Sequence, residues 1–404
     1  MVARPRWLRG ATGLAALLSA CVLGGCGASG SETDLYTVRD SAGVLIVETQ
    51  SPLWDGEAAW NIDPSPSVRI GAAEGEGEYL FSRVEGVVRL PDGKIVVGDG
   101  ASGEIRFFDE SGGFVRTAGG SGQGPGEFEY LRGLERCGGD FLLAYDLNWQ
   151  AKVFDADGRL QRELRLTEPG SERTPYRVTC SGVQGFVITG WGERPRPPPV
   201  GFFASEAPAW LLNENGEVVA ELGPFLSSER IGTPGGSGPH PFGRTTEVAA
   251  DSERAVVGTP TELTVRLYDW EGRLTSIFRG PTLDLEIRPE HLARYREQRL
   301  AETEEEDHPR LERQLREMPL TEGFPAYDHI STDPEGNIWL RRFQPPGTDD
   351  PRWAVFNLAG MMLGEVASPL GLKIMEIGDD YVLGVHEDEY GIERIQLHPL
   401  RKGR

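Results

Sequence analysis

A chain of 404 residues with 38% apolar side chains, including 16 Phe and 9 Trp, has the material for a buried core, which excludes wholesale disorder. Its 53 Gly and 29 Pro fit an all-β chain rich in tight turns better than a helical one. A formal charge of −22 argues against a nucleic-acid backbone as ligand, because that needs clustered Lys and Arg, and solubility alone accounts for it.

The first residues read as a targeting segment. Arg4, Arg6 and Arg9 precede an apolar run, 11–22, that is too short to span a bilayer comfortably. The run ends in Leu23-Gly24-Gly25-Cys26, which resembles the bacterial lipobox, as does Leu18-Ser19-Ala20-Cys21. Cleavage before Cys26 leaves the fuller hydrophobic region, so residues 1–25 are read as signal peptide and Cys26 as the lipidated residue; a plain secretory signal is the alternative. The implied address is the bacterial cell envelope, anchored to a membrane without spanning it. Gly27 after the cysteine, in place of Asp, fits the outer membrane. Residues 26–40 then read as a flexible tether and 41–404 as one folded unit. After such processing Cys137 and Cys180 remain, in equivalent regions of neighbouring repeats. They could meet as a disulfide or stay as buried thiols.

Between 84 and 166 one pattern is written twice. Val84-Glu85-Gly86-Val87-Val88, Ile95-Val96-Val97-Gly98-Asp99, Ile105-Arg106-Phe107-Phe108-Asp109 and Phe114-Val115-Arg116-Thr117 are answered by strands around Leu131, Phe141, Val153 and Leu160. Gly86 to Gly133 and Asp99 to Asp146 are both 47 residues apart. Four short strands per repeat of this length, with turns between, is the pattern of a β-propeller blade. A third repeat starts near Tyr176 and carries a stiff proline run at 194–200; the Gly/Pro stretch 231–242 reads as a loop. A fourth runs from Glu247 to Phe278. The period then breaks for an Arg/Glu/Leu-rich insertion, 288–318, whose spacing predicts two helices broken near Asp307-His308-Pro309 and laid over one face. A fifth repeat resumes at Ile330, and a sixth, from Lys373 to Leu397, lacks its fourth strand. Val68 to Gly71 has the register of such a last strand and closes the ring from the other end of the chain. The expectation is an all-β, six-bladed propeller closed by an N-terminal strand, with a helical insertion between blades 4 and 5.

The Phe-Asp before each turn and the Gly122-Gln123-Gly124-Pro125-Gly126-Glu127-Phe128 loop resemble the NHL-type repeat. From Asp40 onward the chain resembles the six-bladed β-propeller lipoproteins of bacterial envelopes, notably at Asp40-Ser41-Ala42-Gly43-Val44-Leu45-Ile46-Val47-Glu48 and at Tyr381-Val382-Leu383-Gly384-Val385. That resemblance implies fold and address, and little about function, since propellers host binding modules and enzymes alike.

Residues opening the inner strands would line the channel mouth: by repeat register these are Glu85, Arg132, Arg177, Glu247, Asp328 and Glu376. Four acids and two arginines converging there could bind a polar ligand or a cation. Of these, Glu85, Asp328 and Glu376 are the candidate ligands for a divalent ion such as calcium; ion pairing among the six is the plainer alternative. Enzymes of this architecture include lactonases, with a metal on Glu, Asn and Asp, and lyases with several metal-binding histidines. The six histidines here (His240, His291, His308, His329, His386 and His398) are scattered, which disfavours the latter. Asp99, Asp146, Asp109 and Asp155 recur at the repeat period and read as turn stabilisers. Two functions stay open: a monomeric binding module for an envelope protein, a glycan or a small polar ligand, and a metal-assisted hydrolase or lyase.

Overall fold

The computed structural model describes residues 35–403 apart from 55–58, 139–140, 171–172, 174, 182–183, 193–196 and 234. Segment 1–25, Cys26 and part of the proline run lie outside the described residues.

Six sheets follow one another along the chain, each built from antiparallel neighbours in chain order from an inner to an outer strand. The inner strands are Val84–Arg89, Leu131–Arg136, Arg177–Ser181, Glu247–Ala250, Tyr327–Thr332 and Leu372–Ile377, and we number the sheets 1 to 6 by them. Successive inner strands touch, and the sixth touches the first. Six apolar clusters fill the spaces between the sheets, one for each neighbouring pair, including the pair formed by sheets 6 and 1. This ring is an all-β propeller. Its sequence logic is visible in burial: the second strands Ile95–Asp99 and Gly185–Thr189 are buried at every residue because both faces meet another sheet. The outer strands Phe114–Gly119 and Leu160–Arg165 alternate half-buried with exposed.

Val68–Ile70 pairs antiparallel with Glu393–Arg401, the last strand of the chain, so sheet 6 takes a strand from the N-terminal side as the register predicts. A second hairpin was not foreseen. Tyr36–Ser41 and Val44–Thr49 pair with each other, and the latter adds in parallel to Leu274–Arg279, the outer strand of sheet 4. A strand therefore lies within the stretch read as tether.

Sheet 3 differs more from expectation. Its third and fourth strands run as a long hairpin, Gly201–Leu212 and Val218–Thr233, with Gly236–Pro239 added at the end. The stretch read as a 231–242 loop is thus largely strand; its Gly and Pro sit on a strip exposed on alternate residues, where no apolar pattern is needed.

The insertion between sheets 4 and 5 contains α1 (Pro289–Ala301) and α2 (His308–Glu317), joined through a single 3-10 turn at Glu305–Asp307. Pro289 takes the first helical position, where its missing N–H costs nothing, and the Arg288 N–H donates to His291 Nδ1. Arg296 on α1 pairs with Glu312 on α2 at 2.5 Å. Neither helix buries a residue completely, so the pair is a surface layer and not part of the core.

The periodic aspartates are turn residues. Asp109 Oδ1 accepts from Ser111 N at 2.9 Å and Gly113 N at 2.8 Å, and Asp155 Oδ1 accepts from Asp157 N and Arg159 N. Asp333 and Asp388 repeat the arrangement in sheets 5 and 6. Cys137 and Cys180, whose Cα atoms are 5.4 Å apart, form a disulfide that ties the inner edges of sheets 2 and 3.

Candidate functional site at the channel mouth

In a ring of this kind the inner strands run the same way, so their first residues share one end of the channel. Glu85, Arg132 and Asp328 are each the second residue of an inner strand. Each is skipped in the pairing with the next strand: Val84 and Gly86, Leu131 and Gly133, and Tyr327 and His329 are paired around them. A bulge of this kind re-aims one side chain. Arg177 and Glu247 open their strands without one.

Glu376 does not belong with them. It is the fifth residue of its strand, because sheet 6 carries its bulge later, between Ile374 and Glu376. There it accepts from Tyr381 Oη at 2.7 Å and from Arg89 N at 2.7 Å, and lies 3.4 Å from Arg136, in the lower part of the channel wall. The second residue of that strand is Lys373. The mouth therefore presents three acids, Glu85, Glu247 and Asp328, against three bases, Arg132, Arg177 and Lys373.

These charges are paired in place. Glu85 lies 3.0 Å from Arg83 and 3.7 Å from Arg132. Arg177 donates to both oxygens of Glu247, Nε at 3.2 Å and Nη2 at 2.9 Å, and its guanidinium lies over the Tyr176 ring. Asp328 accepts from Arg341 Nε at 2.6 Å. Burial pushes the Glu247 carboxyl up from the ordinary range, opposed by Arg177, and burial raises Glu85 against the pull of Arg132 and Arg83. His329 is pushed down to about 3 by burial, helped by Arg341, Arg177 and Lys373, so its imidazole is neutral. The metal set Glu85, Asp328 and Glu376 is not brought together, since each carboxylate is held by its own partners and Glu376 lies deeper. Among the described residues no three His, Cys, Asp or Glu side chains gather as a metal site requires.

Three of the predicted mouth residues do share a cavity. Arg177, Glu247 and Asp328 line a space of about 210 Å³, together with Tyr327, Phe343 and the loop 241–245. The helical insertion helps to frame this side of the mouth. Tyr295 of α1 packs edge-on to Phe242 at 5.0 Å, and His291 meets Phe324 at 5.1 Å. Phe324 in turn stacks behind Phe343 at 5.4 Å, and His240 Nε2 bonds to the Pro319 carbonyl at 2.8 Å.

Sequence reasoning missed Lys373, Arg341, Phe343 and a half-buried carboxyl beneath the mouth, Glu135. Its carboxyl meets the Cys180 N–H and the Thr179 and Tyr145 hydroxyls, and burial raises it to about 7. A carboxyl whose folded value lies above its unfolded 4.5 supplies stability at low pH and loses it as pH rises through about 7. Relative to the parent chain, Glu135→Gln is expected to gain up to about 3 kcal/mol between pH 4.5 and pH 8, at 1.36 kcal/mol per unit. Urea titrations at both pH values read this difference, and one that does not vary with pH would remove Glu135 as its source.

No family model matches the chain, and no curated protein matches it. Among solved structures the chain is similar to an exported-protein candidate from Bacteroides fragilis, at 13% identity and a TM-score of 0.47, covering 89% of this chain and 100% of that one. It is similar to a member of the DUF4221 family from Bacteroides vulgatus at 10% identity and a TM-score of 0.49, covering 86% and 100% of the two chains. A calcium-binding protein, regucalcin, from Agrobacterium tumefaciens matches at 13% identity and a TM-score of 0.38, covering 84% and 96%.

Proposed function

We propose that this protein is a monomeric binding module of the bacterial cell envelope that takes a small polar ligand at the mouth of its channel. The observation that carries the reading is the cavity shared by Arg177, Glu247 and Asp328. It is concave, joins charged groups to an aromatic wall, and opens where the inter-sheet loops converge. Thermal-shift screening of the full chain against sugars, amino acids, organic acids and short peptides tests it. Compounds that raise Tm in the parent chain are expected to lose their effect in Asp328→Asn. Hits unaffected by that change would place binding elsewhere and overturn the reading.

The address rests on the lipobox-like Leu23-Gly24-Gly25-Cys26 and on the resemblance of the repeats to six-bladed, NHL-like envelope lipoproteins. Lipid on Cys26 anchors the chain, in the outer membrane where the cell has one. Cys26 stands nine residues before Leu35, where described chain begins at the rim of sheet 4, a reach of about 30 Å when extended. Among the described residues no helix is long and apolar enough to cross a membrane. Cys26→Ser is expected to move the protein from the membrane pellet to the soluble fraction; retention in the pellet would rule out the anchor.

A second reading, docking of an envelope protein on the same face, is favoured by one observation. Tyr130 (62% exposed), Leu147 (55%), Leu370 (67%) and Tyr390 (80%) stand bare in loops on the mouth side.

A further inference from the structure

We infer that the mouth cavity takes one uncharged sugar ring, either a free monosaccharide or the terminal residue of a glycan. This rests on the binding-module reading and narrows it.

Size sets the first limit. About 210 Å³ is below the roughly 300–1,000 Å³ of sites for drug-sized ligands. A space of this size, open to solvent on one side, seats a group about as large as one six-membered ring with its hydroxyls.

Charge sets the second. The cavity's ionised groups come as neutral pairs, Arg177 with Glu247 and Arg341 with Asp328. An anion entering would compete with Glu247 for Arg177 while facing Asp328. A cation would compete with Arg341 for Asp328 while facing Arg177. Displacing Arg177 would leave Glu247, whose side chain is 6% exposed, without its cation, whereas the more open Asp328–Arg341 pair would be lost at smaller cost. A neutral ligand avoids both penalties, provided that it replaces the water on the remaining polar atoms.

Those atoms specify hydroxyls. Contacts among the described residues use Nε and Nη2 of Arg177 and Oδ1 of Asp328. Nη1 of Arg177 is left to donate and Oδ2 of Asp328 to accept. A hydroxyl can accept from the first and donate to the second, and adjacent hydroxyls on one ring serve both at once. Phe343, held by the stack on Phe324, supplies a flat apolar wall for the C–H face that such a ring presents. A pocket with this wall, a donor and an acceptor in one lining, and paired charges fits a polyol ring, and the calorimetric panel sets that ring against charged ligands.

Isothermal titration calorimetry on the full chain tests the inference with a panel of neutral hexoses, the matching uronic acids and amino sugars, and trisaccharides ending in the same hexoses. At least one neutral hexose or its trisaccharide is expected to bind. Its uronate and amino counterparts should bind at least tenfold more weakly. Phe343→Ala and Asp328→Asn should each raise Kd at least tenfold. Phe343→Leu, which keeps apolar bulk without the ring, should weaken binding while leaving the circular dichroism spectrum unchanged. Tighter binding of the trisaccharide identifies a glycan end, and tighter binding of the free hexose a free sugar; both support the inference. Charged counterparts that bind as well as their neutral parents, a Phe343→Leu variant with unchanged Kd, or no binding by any sugar at millimolar concentration would overturn it. If amino acids or organic acids then shift Tm in an Asp328-dependent way, the binding module stands and only the sugar assignment falls.

Discussion

Ile70→Asp is expected to lower stability by about 4 kcal/mol or more, enough to threaten folding of an ordinary domain. Ile70 is 1% exposed and lies in the strand that the N-terminal side lends to sheet 6, opposite Ile395. It packs with Phe81, Val84, Val97, Leu383 and Leu397, residues drawn from sheets 1 and 6 and from the segment between them. A carboxylate there loses its water among apolar side chains, which is among the few single changes that reach this magnitude. Ile70→Val, which removes one methylene and keeps the shape, is expected to cost only 0.5–1.5 kcal/mol by the usual cost of such a core change. Urea titration of both variants reads the contrast. Equal midpoints for the Asp and Val variants would mean that the closing strand contributes nothing to the ring.

Arg177→Ala is expected to cost about 3 kcal/mol, the lower end for breaking a buried pair, because Arg177 itself is partly open to water. Its partner is the group that suffers. The Glu247 side chain is 6% exposed, and both its oxygens are held by Arg177. Without the guanidinium, burial acts unopposed and drives that carboxyl further up. The sign of the pH dependence follows. A carboxyl with a raised folded value keeps its stability at low pH, when protonated, and loses it as pH rises. The variant's deficit should therefore be smaller at pH 5 than at pH 8. Chemical denaturation at both values, with Glu247→Gln in the Arg177→Ala background as comparison, decides the matter. A deficit equal at both pH values and unrelieved by the second change would mean that the loss is packing of the arginine stem.

The repeat made most of the ring legible in advance, because propeller burial is periodic. The 47-residue spacing of Gly86 and Gly133, the missing last strand of the sixth repeat and the spare strand at Val68 together specify closure. The helical insertion was read at 288–318 and runs from Pro289 to Glu317, since a change from period-2 to helical spacing is a strong signal. The mouth was less legible. Register counts residues as if every inner strand were alike, but sheets 3 and 4 have no bulge there and sheet 6 has its bulge later, so register reads Glu376 as a mouth residue and misses Lys373. Asp328 was found, but its partner Arg341 comes from the neighbouring strand, and no local pattern announces which arginine will face which acid. The edge position of Tyr36–Ser41 was unreadable for a related reason: a strand's own alternation says nothing of the sheet it will join.

The strand pairing that closes sheet 6 ties residues near 70 to residues near 395, so the two halves of the joint are among the earliest and the latest parts of the folded unit to be synthesised. Sheets 1 to 3 are whole once their own residues have emerged, but the ring as a circle cannot exist until the strand Glu393–Arg401 has emerged too. Until then Val68–Ile70 has no partner and the first sheet lacks its neighbour on one side, leaving an open flank that a second unfinished chain could occupy. The strand Glu393–Arg401 is thus the piece on which closure waits, and without it sheets complete in themselves stay an open arc.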